Sequence, residues 1–296
     1  MKKFVSLLLA MVLLLGCLPN IAALGESLTD RIGTAAAGAE VLLTEDCRED
    51  ILIDKNITLD LNGCSILGAV SVADGCTLTV KDSKTDDFTV EDADGYGALA
   101  EVSGAVQAAD GYLMLDGLEG VSFHKVELQL TTVTLRPEIV GIYYTGEFKG
   151  DQVVAANVDA FGVALRLDKA PDAAYMGISS ACSRYYDFAA GDAGNTATGT
   201  LLKNVMRKGR PAAENKSNSQ RKIHAAAYIR TNDGQYHFGT AVNYSLMQVT
   251  QQADKQWSKL NQTQKNAIKK MYNSFESIIS TWYLPNINDT DIDIPI

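Results

Sequence analysis

Residues 51–82, ILIDKNITLDLNGCSILGAVSVADGCTLTVKD, repeat themselves, and that repeat limits what the chain can fold into more than any other feature. A shift of nineteen residues lays Ile51 on Val70, Ile53 on Val72, Ile57 on Cys76, Leu59 on Leu78 and Leu61 on Val80. Apolar residues alternate with others within each copy, the period-two signature of a strand with one buried face. Gly63, Gly68 and Gly75 fall where the chain must turn. A unit this short cannot bury its own apolar face, so it must stack on a neighbour as the rung of a β-solenoid. A further shift sets Gly95 and Gly97 at inward positions, so the repeat fades after Ser83. Two rungs rarely stand alone, and a following domain is expected to cap them.

The first twenty-five residues read as an export leader. Lys2 and Lys3 form its charged start and residues 4–18 its apolar stretch, which is short for a membrane span of roughly twenty residues. Pro19 breaks the stretch ahead of Ala23-Leu24-Gly25, a small-x-small site for cleavage between Gly25 and Glu26. A second reading stays open: Leu14-Leu15-Gly16-Cys17 resembles the bacterial lipoprotein motif, which would make Cys17 a lipidated residue. Leu18-Pro19 follows where such proteins usually carry small polar residues. Either route takes the chain out of the cytoplasm, and no transmembrane span is expected in the mature chain.

Cys47, Cys64, Cys76 and Cys182 then remain, an even number that invites a disulfide reading in an exported protein. The repeat argues against it. Cys76 aligns with inward Ile57 and Cys47 with apolar Ile66, where a thiol serves as a small buried hydrophobe. Free thiols are expected. The net charge of −10 excludes nucleic acid as a natural partner for the chain as a whole.

ITLDLNG at residues 57–63 and its echo TLTVKDS at residues 77–83 resemble short right-handed β-helix segments of the pectate-lyase kind found in exported bacterial proteins. The resemblance covers residues 38–97 and implies a fold shared by enzymes and non-enzymes, so it carries no activity. After an acidic connector at 82–94, short alternating runs separated by Gly, Asp or Pro predict strands at 105–109, 112–115, 121–130, 132–135, 141–148, 152–158 and 161–167. Residues 223–230 and 235–240, joined by Asn232-Asp233-Gly234, predict a hairpin. This spacing is that of an antiparallel β-sandwich over residues 98–245. GIYYTGEFKGD and VDAFGVALRL within it resemble uncharacterised sandwich modules that follow such β-helix pieces.

Residues 246–284 carry apolar side chains at three-four spacing and predict a helical pair packed on the sandwich. Asn261 with Gln264 reads as a capping box opening the second helix, and Pro285 as its stop. Residues 285–296 read as a tail. The fold class is therefore mainly β: a short solenoid, a sandwich and a C-terminal helical pair.

No catalytic residue is assigned. Asp54, Asp60, Asp74 and Asp82 are the acids on the rungs, but the repeat sets Asp60 and Asp74 at outward or corner positions, where carboxylates are solvated. Asp92-Ala93-Asp94-Gly95 with Glu101 has part of a calcium-loop spacing, yet its first ligand position falls on Val90, so no metal is assigned. His124, His224 and His237 lack a third ligand at a recognisable spacing, although the last two lie on the arms of the predicted hairpin. Cys182 has no evident base, and Gly177-Ile178-Ser179-Ser180-Ala181 lacks the closing glycine of a nucleophile elbow. Residues 203–222 carry seven bases against Glu214 and read as an exposed loop, able to meet an anionic partner or the acidic rungs. Tyr143, Tyr144, Tyr185 and Tyr186 would suit sugar stacking if exposed. The functional expectation is a non-catalytic extracellular binding or structural module, with a polysaccharide or cell-envelope component as partner and no cofactor. Two alternatives are a polysaccharide-active enzyme using the solenoid face and a lipid-anchored envelope scaffold.

Overall fold

The computed structural model describes residues 26–86, 88, 95–117, 120–167, 169–177, 196–202 and 204–288. The chain is mainly β, with several sheets. It divides into two compact units. The first holds residues up to Lys84 with Tyr96–Ala109 and Met114–Phe123; the second holds Thr85–Gly95, Asp110–Leu113 and the chain from His124 onward.

The first unit opens with α1 (Leu28–Thr34), where the Ser27 hydroxyl accepts from the Asp30 N–H and Leu28 and Ile32 enter the core. Seven strands follow: β1 (Glu40–Leu42), β2 (Ile51–Ile53), β3 (Ile57–Asp60), β4 (Ile66–Val72), β5 (Leu78–Lys81), β6 (Ala98–Ser103) and β7 (Val106–Ala108). They pair in two parallel ladders that the chain visits alternately, β1-β3-β5-β7 and β2-β4-β6. Each inward residue therefore meets its equivalent one layer on. Ile53, Leu59, Leu61, Ile66, Leu78 and Leu99 are all essentially sealed from water, and each such side chain contributes about 1.5–3 kcal/mol.

The register shows why the repeat was legible and where it misled. Ile51 lies against Val70, Ile53 against Val72, and Cys47 bridges to Ile66, the nineteen-residue offset expected. In the other ladder Ile57 meets Leu78 and Leu59 meets Val80, an offset of twenty-one. The corner supplies the difference, since residues 73–77 occupy a turn that residues 54–56 cross in three. Cys76 consequently sits half-exposed in that corner and not at the inward position of Ile57. Cys47, Cys64 and Cys76 are free thiols, with only Cys47 buried; Cys182 lies outside the described residues.

Nor do the ladders stop at Ser83. Leu78 meets Val106, Ile66 meets Leu99 and Val70 meets Val102, so a third layer follows across a longer insertion. The first unit accordingly runs past the boundary expected at residue 97. Gly97 occupies a corner, where its N–H donates to the Asp82 carboxylate at 2.7 Å and an added Cβ would lie 2.3 Å from the Cys64 carbonyl oxygen.

β8 (Tyr112–Gly117) turns back onto β9 (Gly120–Arg136), a single strand where two were expected, with a register shift opposite Thr145/Gly146. From His124 on, β9 belongs to the second unit. There it pairs antiparallel with β10 (Gly141–Gly150). Residues 152–157 form α2 (Gln152–Asn157) and not the expected strand. The Asp151 carboxylate accepts from the Val154 N–H at 2.8 Å, and this cap overrides the β preference of Val153-Val154. β11 (Val158–Leu167), α3 (Ala173–Gly177) and β12 (Thr196–Leu202) follow, β12 pairing with β10. Residues 212–220, read from sequence as loop, form α4 (Ala212–Gln220). β13 (Ile223–Thr231) and β14 (Tyr236–Phe238) make the expected hairpin, and β15 (Val242–Tyr244) pairs with the start of β13.

The β9–β10–β12 and β11–β13 sheets share one core through Ile142, Tyr144, Val163, Leu165, Ile223 and Ala225. Helices α5 (Leu246–Lys255), α6 (Gln262–Ser274) and α7 (Glu276–Ile279) close the same core, which Ile287 also enters. The capping box at Asn261 and Gln264 forms as expected, and Ser245 with Gln248 makes another ahead of α5. The second helix is not continuous to residue 282, because Phe275 leaves helical geometry at φ −135°, ψ 31°. Pro285 opens α8 (Pro285–Asn288) instead of merely ending its predecessor. Among the described residues no helix is long and apolar enough to cross a membrane.

Candidate functional site

Within the second unit an open groove of about 430 Å³ runs between the end of β9 and the facing sides of α5 and α6. Its floor is apolar, with Leu135, Val249 and Ile268 buried and Leu260 half-buried. Residues 133–138, the end of β9 and the start of the 3-10 turn that follows it, line one wall. The opposite rim carries the exposed side chains of Gln252, Gln256 and Thr263. None of these three spends its side chain on a hydrogen bond within the described residues. Arg136 and Glu138 are the two charged residues of the lining and offset each other, and the Arg136 guanidinium rests 4.9 Å from the centre of the Tyr143 ring.

Local sequence builds this geometry. The two capping boxes set where α5 and α6 begin, and the short 3-10 turn Trp257–Lys259 reverses the chain between them. Trp257 is buried beneath Lys265 and Lys269, whose ammonium groups lie 5.8 and 5.9 Å from its ring centre. Behind α5, buried Asp254 accepts from the Ile287 N–H at 2.8 Å and ties α8 in place. A groove of this volume, with an apolar floor and a few free polar groups, has the form of a small-ligand site. Its near neutrality favours a ligand without net charge.

The residues singled out from sequence are dispersed. Cys17 and Gly25 lie outside the described residues, and Glu26 directly precedes the Ser27 cap of α1. Asp54 and Asp74 are exposed. Asp60, expected at a solvated outward position, is buried: its Oδ1 accepts from the Asn62 and Ser83 N–H groups, and Lys81 lies 3.4 Å from Oδ2. Asp82 is buried as well and accepts from the N–H groups of Gly63, Lys84 and Gly97. Burial pushes its carboxyl above the ordinary value despite those three donors. Both acids hold corners of the stacked strands. Burial and the acids Asp46, Asp82 and Glu45 push the Cys64 thiol up.

Asp92, Ala93 and Asp94 lie outside the described residues, and Glu101 is exposed on β6. His237 pairs with Ile229, whereas His224 pairs with Asn243 and Arg166 at the other end of β13, so the hairpin does not bring the two histidines together. Burial holds His237 below the usual imidazole value. His124 is buried with its Nδ1 2.7 Å from Asp151 Oδ2, a pairing that sequence reasoning missed. The available signal was Asp151 itself, an N-cap residue whose second oxygen is left to bind elsewhere. Tyr144, expected among sugar-stacking residues, is fully buried, and that burial pushes its phenol up. Tyr143 is half-buried against Arg136, while Tyr185 and Tyr186 lie outside the described residues.

No protein-family model and no curated protein matches this sequence. Among the described residues no group of three His, Cys, Asp or Glu side chains is placed to hold a metal ion.

Proposed function

We propose that the chain is an exported, non-catalytic binding module that takes a neutral carbohydrate in the groove between β9, α5 and α6. In this reading the first unit is a short right-handed β-solenoid of the pectate-lyase kind, and the second is a β-sandwich closed by its C-terminal helices. Two parallel ladders visited alternately by the chain support the solenoid, and two antiparallel sheets sharing one core support the sandwich. Release after Gly25 or tethering through Cys17 would place the module in the medium or on the cell surface.

The observation that carries the ligand class is the lining. Gln252, Gln256, Thr134 and Thr263 offer uncharged donors and acceptors of the kind hydroxyls match, above an apolar floor that suits the C–H face of a sugar ring. The non-catalytic part rests on Asp60 and Asp82, the acids best placed on the stacked strands, being occupied by backbone N–H groups at corners.

Retardation in native gels cast with plant, host and bacterial polysaccharides tests the reading. One polysaccharide class should slow the protein, and the Gln252→Ala, Gln256→Ala double variant should run unretarded with an unchanged melting temperature. No retardation by any polysaccharide, or equal retardation of the double variant, would overturn it.

A further inference from the structure

Gln252 in α5 and Gln256 at its C-cap both line the groove, and the Gln256 N–H donates to the Gln252 carbonyl at 3.2 Å. That bond sets the two residues one helical turn apart, about 6 Å along the axis. Both side chains are exposed and spend no hydrogen bond among the described residues. Beside them buried Val249 and half-buried Ala253 form apolar floor, and Thr263 and Ala267 line the groove from α6. Alanines on both helices keep that floor open.

We propose that the groove selects sugars that carry an acetamido group, the N-acetylated hexosamines. The inference rests on the reading of the groove as a neutral-carbohydrate site and narrows its ligand. Each glutamine carboxamide offers an N–H₂ donor and a C=O acceptor. The N–H and C=O of a secondary amide are trans and point to opposite sides. An acetamido group lying between the two glutamines therefore donates to one Oε1 and accepts from the Nε2 of the other. Its methyl group then falls on Val249 and Ala253.

The same floor works against the two nearest analogues. A plain hexose has a hydroxyl in place of the acetamido group, too short to reach both glutamines and without a methyl for the floor. A de-acetylated amino sugar would bring an ammonium against amides and methyl groups, because Glu138, the carboxylate of the lining, stands on the opposite wall. The acetamido sugar can come from a chitin-type polymer or from the glycan strands of a bacterial wall.

Calorimetric titration of the protein with chitotetraose, cellotetraose and fully de-acetylated chitotetraose tests the proposal, since the three share one backbone and differ at one substituent per ring. Chitotetraose should bind at least tenfold tighter than either of the others. Gln256→Ala should remove that preference, and Ala267→Leu, which fills the recess, should weaken chitotetraose binding tenfold or more, with the melting temperature unchanged in both. Peptide-free wall glycan strands binding tighter than chitotetraose assign the bacterial wall as source, and weaker binding assigns a chitin-type polymer. Chitotetraose binding no tighter than cellotetraose, or an unaltered preference in both variants, would overturn the inference. The neutral-carbohydrate reading then stands if a polysaccharide still retards the protein in native gels, and falls with it if none does.

Discussion

Replacing Asn215 by alanine gives a sharp test of how the second unit is held. Asn215 is 3% exposed on α4, and its carboxamide closes a three-bond clamp on the backbone of Arg207 and Arg210. Alanine removes one acceptor and two donated protons, leaving the Arg207 N–H and the Arg210 carbonyl without a partner among the described residues, while the Arg207 carbonyl keeps its bond from the Arg210 N–H at 3.3 Å. At about 1 kcal/mol net for each neutral hydrogen bond the loss is about 2–3 kcal/mol. That lies in the lower half of the ~2–6 kcal/mol of two fully orphaned groups, because Arg207 is exposed and water can reach its backbone. Aspartate is the harsher change: it keeps the acceptor but turns a carboxylate oxygen toward two carbonyls, and should cost about 3–5 kcal/mol. For a unit of this size each kcal/mol lowers the melting temperature by about 2–4 °C, so alanine should lower it by about 5–10 °C. Urea unfolding followed by circular dichroism reads both variants, with exposed Asn266→Ala as control. If Asn215→Ala and Asn266→Ala unfold at the same urea concentration, the clamp contributes nothing and the argument fails.

Other expectations test the first unit and the titrating groups. Asp82→Asn should destabilise by about 2–3 kcal/mol, since its amide can serve only part of the three N–H groups now bound, while exposed Asp74→Asn should stay within about 0.5 kcal/mol; equal midpoints for the two in urea would contradict the corner role. Gly97→Ala should unfold at markedly lower urea than Gly33→Ala, because its Cβ would overlap the Cys64 carbonyl while Gly33 faces open space. Burial lowers the folded value of His237, so its contribution to stability is complete above the unfolded imidazole value of about 6.5 and is lost as pH falls through the folded value. Its ring-proton titration by NMR should show a midpoint below that of His237 in the urea-unfolded chain, and a higher midpoint would refute the burial argument.

Sequence and tertiary structure divide the description of this protein along physical lines. Period-two alternation and the nineteen-residue shift were enough to place Ile51 on Val70 and Cys47 on Ile66, because strands stacked in register must repeat whatever faces inward. The Asn232–Gly234 hairpin and the Asn261–Gln264 box were legible for the same reason: their chemistry is local. The third layer was not, since a long insertion separates it from the first two and a fixed shift cannot follow it. Cys76 moved from core to corner through two extra turn residues. The break at Phe275 likewise escaped a pattern that only counts apolar spacing. Asp60 looked like a solvated acid because a backbone N–H group donated from another layer, that of Ser83, leaves no mark in the sequence. The groove shares that property. It joins residues 133–138 to helices more than a hundred positions later. Local alternation and capping determine elements; which unspent polar groups converge on one cavity is decided only when the elements pack.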